Sequence, residues 1–120
     1  MAPCHDPGMS PKPAYVLVRS DDLAAGEELR QYVSQVDATL QRYGAEILVQ
    51  NFPATVAEGE WGGFVTLLRF ESLAAATRWY ESPEYSAIAP LRRASSSPTA
   101  IIVEGVADGH LSSDLLALFG

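Results

Sequence analysis

Arg19, Arg69 and Glu104 are the side chains of this 120-residue sequence best equipped for chemistry in the segments that look folded. Arg19 and Arg69 each sit in a run of alternating apolar residues. Period-two alternation puts Arg19 with Tyr15 and Leu17 on one strand face, and Arg69 with Val65 and Leu67 on another. Guanidinium forks bind carboxylate and enolate oxygens well, so two on an inner face suit an anionic or carbonyl-bearing ligand. The competing reading is structural, with Glu46 or Glu104 as their partners across the sheet or a dimer. Burying both arginines without an anion is costly, so a ligand or an acidic side chain must meet them. Hydrophobicity does not assign Glu104 to a face. Arg19, Arg69 and Glu104 are the candidate catalytic residues, and Tyr15, Asn51, Trp61, Trp79 and Tyr85 the candidate substrate-binding ones.

The aromatic candidates each carry a packing alternative. Trp61 follows a Gly-rich turn at a strand entrance, where it could lid a pocket or simply pack. Trp79 and Tyr80 occupy adjacent helical positions and cannot face the same way. Tyr80 lies on the stripe of Leu73 and is expected in the core, which leaves Trp79 at the helix flank. Tyr85 opens the next helix, with its hydroxyl at a cavity mouth or its ring in the core.

Other kinds of chemistry are poorly supplied. There is no phosphate-cradling Gly-rich loop and no dinucleotide fingerprint. His5 and His110, the two histidines, lie outside the expected core, so a Ser-His or Cys-His nucleophile pair is not expected. Cys4, the single cysteine, neighbours His5 and Asp6, but three consecutive residues on a Pro-rich tail make a poor preformed metal site. A metal site would need carboxylates alone. Catalysis is therefore expected to run without a cofactor, with Glu, Tyr and Arg moving protons or stabilising an enolate.

The elements that must hold these residues follow from local signals. Residues 1–13 contain four prolines and no periodicity, and are expected to be a disordered tail. Residues 14–19 form a β-branched and aromatic first strand. Asp21 and Asp22 are capping candidates for a helix whose stripe is Leu29, Tyr32, Val33, Val36, Leu40 and Tyr43. Gly44 ends that helix where a left-handed residue is wanted. Residues 46–51 make a second strand, stopped by Pro53, and residues 64–70 a third. Ser72 caps a second helix. Ser82, Pro83 and Glu84 then announce a third, running to about Arg92. Ser95 to Pro98 reads as a loop before a fourth strand over residues 99–103. Residues 107–120 form an apolar extension. In it Ser112, Ser113 or Asp114 could cap a short helix bearing Leu111, Leu115, Leu118 and Phe119, expected to pack on the sheet or on a partner.

The order is β-α-β-β-α-β, an α+β ferredoxin-like domain over residues 14–106 with a four-stranded antiparallel sheet. Helices on one side leave the other sheet face bare, so a homodimer is expected to cover it. Two further signatures, Trp-Tyr-Glu-Ser-Pro-Glu-Tyr over residues 79–85 and Glu-Gly-Glu-Trp over residues 58–61, resemble those of the domain-of-unknown-function 1330 family. That resemblance implies a ferredoxin-like fold pairing as a dimeric α/β barrel. Related barrels include cyclases, isomerases and cofactor-free monooxygenases. The implied function is a small-molecule enzyme of isomerase or cyclase type. A non-catalytic binding module and a monooxygenase are the alternatives. The family pattern also implies an acid near position 69 and an Arg-Gly-Gly ending, where this chain has Arg69 and Gln50-Asn51-Phe52.

The net charge of −7 argues against nucleic acid as a partner and against anionic membranes. No apolar run approaches spanning length, and the Pro-rich start does not resemble a secretory signal, so a cytoplasmic location is expected.

Overall fold

The structure, a computed structural model, describes residues 12–119. Most of the expected tail, with Cys4, His5 and Asp6, lies outside the described residues. Strand β1 (Ala14–Asp21) alternates buried and half-buried residues along its whole length. Helix α1 (Glu27–Arg42), strands β2 (Glu46–Asn51) and β3 (Phe64–Phe70), helices α2 (Leu73–Glu81) and α3 (Pro83–Ser95) and strand β4 (Ser97–Glu104) follow. The sheet order is β2-β3-β1-β4 and every neighbouring pair is antiparallel. This is the ferredoxin-like α+β arrangement.

Alternation along β1 assigns the faces. Ala14, Val16 and Val18 are buried under the helices. Leu68 faces the same way opposite Val16, and Phe70 opposite Ala14. Against them pack Val36 and Leu40 of α1, Ala75, Ala76 and Trp79 of α2, and Tyr85, Ile88 and Ala89 of α3.

The helix boundaries show which local signals held. Gly44 takes φ +71 after α1, the left-handed geometry that glycine adopts without a Cβ penalty. Ser72 and Ser82 cap α2 and α3 as expected, their Oγ atoms accepting from Ala75 N at 3.0 Å and Tyr85 N at 3.1 Å. Asp21 and Asp22 do not cap α1. Asp22 turns the chain at φ 54, and the helix starts later, from Gly26, with no side-chain cap. The expected serine loop is almost absent, because α3 runs on to Ser95 and β4 starts at Ser97.

The stripe expected on α2 is corrected. Leu73 is 41% exposed, whereas Trp79 is 2% exposed at the centre of the core. The buried side of α2 is Ala75, Ala76 and Trp79. Two alanines let the helix approach the sheet closely enough for the indole to fill the space between Phe70 and Tyr85.

The C-terminal extension is a 3₁₀ turn (Ser112–Leu115) running into α4 (Leu116–Phe119), and no residue of either is buried. Leu111, Leu116, Leu118 and Phe119 are largely exposed, so the extension does not pack on its own domain.

Candidate functional site

The residues singled out in the sequence separate into three places. Tyr15, Arg19 and Arg69 lie on the bare sheet face. Register sets Tyr15 opposite Arg69, and Arg19 opposite Val65. Asn51 also pairs with Val65 and shares that face. The two arginines do not converge. Arg19 lies four positions along β1 from the partner of Arg69, about 13 Å at the rise of an extended strand. Each is met by a carboxylate: Arg19 Nη2 reaches Asp21 Oδ2 at 3.1 Å, and Arg69 Nη1 reaches Glu46 Oε1 at 3.0 Å. The Arg69 pKa is pushed up, first by Glu46 and then by the neighbouring Tyr15 hydroxyl. The Arg69–Glu46 pair is solvent-exposed and the Arg19–Asp21 pair half-buried, and water and salt weaken such pairs. Between them the face is apolar, with Leu17, Leu67, Val49 and Ile101 in one cross-strand row.

Trp61 stands over Arg19, whose Cζ is 5.4 Å from the ring centroid, and its Nε1 donates to the Gly63 carbonyl at 2.9 Å. Gly63 is required here. A Cβ would clash with the Arg19 side chain and come within 2.9 Å of Asp21 Oδ1.

Glu104 does not join this group. It pairs with Ala14 and so falls on the helix-bearing side of β4, exposed at the strand end. Neither arginine uses it. Trp79 and Tyr85 are in the third place, the core. Trp79 Nε1 donates to Thr39 Oγ1 at 2.9 Å, and the Trp79 and Tyr85 rings pack tilted at 42° with centroids 4.2 Å apart. Tyr85 is 1% exposed, and its hydroxyl shares a 2.9 Å hydrogen bond with that of Tyr32.

A cavity of about 410 Å³ opens on the helix side, between α1 and the sheet. Val18, Ser20, Phe64, Thr66, Ile47 and Gln50 form its sheet wall, and Leu29, Tyr32, Val33, Val36 and Asp37 its α1 wall. Leu23, Leu40, Leu68, Trp79 and Arg92 complete the lining. The volume is that of small-molecule sites, and the mix of an apolar wall with a few polar groups is theirs too. Asp37 is the one carboxylate in the lining. Burial pushes the Tyr32 hydroxyl pKa well above its ordinary value, and Tyr85 shifts the same way for the same reason. In their shared 2.9 Å bond one hydroxyl donates to the other.

Sequence reasoning assigned Tyr32 to the core and missed Arg92, Asp37, Thr66 and Gln50. A signal for Arg92 existed. Tyr85, Ile88, Ala89, Arg92 and Ser95 are the buried positions of α3, at steps of three and four, so an arginine interrupts an otherwise inward stripe.

Sheet order, helix placement and cavity together define the class of protein, a ferredoxin-like domain with a cleft under its first helix. The chain belongs to the family described as Domain of unknown function (DUF1330), whose model matches residues 13–106. Among solved structures, a protein of unknown function from Rhodopseudomonas palustris is similar at 19% identity and TM-score 0.61, over 79% of this chain and 83% of that one. SnoaB, a cofactor-independent oxygenase from Streptomyces nogalater, is similar at 15% identity and TM-score 0.57, over 84% of this chain and 98% of its own. A dimeric protein of unknown function with a ferredoxin-like fold, from Bacteroides fragilis, is similar at 15% identity and TM-score 0.50, over 77% and 95% of the two chains. At these identities the likeness carries the fold alone. No curated protein matches the chain by sequence. No helix among the described residues is long and apolar enough to cross a membrane. Among them, no group of three or more His, Cys, Asp or Glu side chains is placed to hold a metal ion.

Proposed function

We propose that this chain is a small-molecule enzyme that binds its substrate in the cavity under α1 and performs acid–base chemistry without a cofactor. The observation that carries the reading is the cavity itself, whose mainly apolar lining includes one carboxylate, the exposed Asp37 of α1. Such a carboxylate can take a proton from a carbon beside a carbonyl, and a neutral tyrosine hydroxyl can support the resulting enolate. Isomerisation and cyclisation both begin with that step. Oxygenation of an electron-rich phenol begins with a deprotonation as well, and the likeness to a cofactor-independent oxygenase keeps it as the second reading.

The reading moves the site away from Arg19 and Arg69, whose carboxylate partners favour a structural role. The apolar row between those two pairs belongs in this proposal to a homodimer interface, as suits a face that soluble monomers avoid exposing. A structural relative described as dimeric supports it.

The test uses 2-tetralone, a flat ketone with acidic α-protons. Wild-type protein is expected to accelerate exchange of those protons into deuterium oxide, followed by NMR, and Asp37→Asn to lose at least about tenfold of that acceleration. Binding of 2-tetralone without any acceleration would leave only a binding module. Exchange unchanged in Asp37→Asn would remove Asp37 from the mechanism.

A further inference from the structure

Arg92 is 7% exposed, and its Nε is buried without a hydrogen-bond partner among the described residues. No described carboxylate stands within ion-pair distance of it. Its Cζ lies over the Tyr85 ring, 5.9 Å from the centroid. A largely buried arginine whose Nε has no partner and whose charge meets no described carboxylate is poorly compensated, and something must offset its desolvation. The group also lines the cavity, beside the Tyr32 wall. A cation that cannot be neutralised, in a lining that also holds Tyr32, is a receptor for a negative oxygen. Among the rest of the lining, Val18, Leu29, Val36 and Phe64 are apolar, Ser20, Thr66 and Gln50 are neutral, and Asp37 is the one carboxylate, so Arg92 is the one cation the cavity offers.

We infer that the cavity selects ligands with one oxyanion, or one oxygen that becomes an anion, on a flat apolar body, and that Arg92 is the residue that binds this oxygen. The inference rests on the cavity being a ligand site and adds the charge and shape of what enters. Arg92 then discriminates by charge and the α1 wall by shape. Carboxylate, phenolate and enolate oxygens share the required chemistry.

Three probes test it by titration calorimetry at neutral pH: 1-naphthoate, its neutral isostere 1-naphthamide, and 1-naphthol. Wild-type protein is expected to bind 1-naphthoate or 1-naphthol at least tenfold more tightly than 1-naphthamide. Naphthol bound as its anion, seen as a red shift in absorbance, marks a phenol or enol ligand. Preference for naphthoate alone marks a carboxylate. In Arg92→Gln the preference over the amide is expected to fall within twofold, and in Arg92→Lys to be partly retained. The free Arg92→Gln protein is expected to melt no lower than wild type, because an unpaired buried charge has been removed. Equal binding of all three probes overturns the inference and leaves the cavity a neutral-ligand site. Binding of none overturns the cavity reading itself. An Arg92→Gln protein that is destabilised yet keeps the anion preference makes Arg92 a packing residue. Should that variant fail to fold, the wild-type contrast between probes decides alone.

Discussion

Thr39 shows how much one hydroxyl can organise. It is buried on α1, donates to the Val36 carbonyl at 2.7 Å and accepts from Trp79 Nε1 at 2.9 Å. The largest core side chain is thereby anchored to a helix forty residues away. Its indole N–H would otherwise be an orphan donor in an apolar core, and the cost of that is about 1–3 kcal/mol. Thr39→Val keeps the shape and removes the acceptor. It is expected to lower unfolding free energy by that amount in urea titration, with an unchanged m-value. A loss under about 0.5 kcal/mol would mean the indole finds another partner or a water.

At the scale of elements, the junction of α2 and α3 rests on a single residue. Ser82 Oγ accepts from Tyr85 N at 3.1 Å, starting α3, and donates to the Trp79 carbonyl at 2.7 Å, ending α2. With Pro83 following it, the chain turns between two helices without a loop, and the turn carries Tyr85 inward against Tyr32 and Trp79. Ser82→Ala removes both bonds at a buried site and is expected to cost roughly 1–2 kcal/mol. Ser82→Asp restores only the acceptor, so thermal melts should place it between wild type and alanine. An aspartate variant below alanine would show that burying the carboxylate outweighs the cap.

For the whole molecule, the unresolved demand is cover. The bare sheet face carries exposed Val49, Ile101 and Val103, and the C-terminal extension exposes Leu116, Leu118 and Phe119, the last at 82%. A second copy satisfies both if the extension lies over the partner. Each apolar side chain it buries contributes about 1.5–3 kcal/mol at full burial. Light scattering on size-exclusion fractions is expected to give a dimer at micromolar concentration. Deleting residues 108–120 is expected to weaken that dimer or lower its melting temperature. A wild-type monomer would remove the dimer, and a truncated dimer of undiminished stability would leave the extension without a role in it.

Much of the fold was legible because strands and caps are written in short-range chemistry. Alternation at β1 and β3, Gly44 after α1, and Ser72 and Ser82 as caps depend on neighbours a few residues away, and each stands where the sequence put it. Face assignment on β1 was legible too, which is why Tyr15, Arg19 and Arg69 were correctly grouped on one side. What they do there was not, since the partners Asp21 and Glu46 depend on rotamer and register rather than composition. Leu73 and Tyr80 made a plausible inner stripe on α2. Leu73 is exposed, Tyr80 packs half-buried against the core, and Trp79 turns fully inward against Phe70 and Tyr85. The cavity was the least legible feature. Its walls come from segments as far apart as Val18 and Arg92, and no local pattern records the gap left between a helix and a sheet. The amino-acid sequence by itself determined the element order, the caps and the two sheet faces, all set by interactions within a turn or a strand. The tertiary structure alone decided which helix face is buried and where the unpaired guanidinium comes to rest, because both follow from volume and charge summed over distant residues.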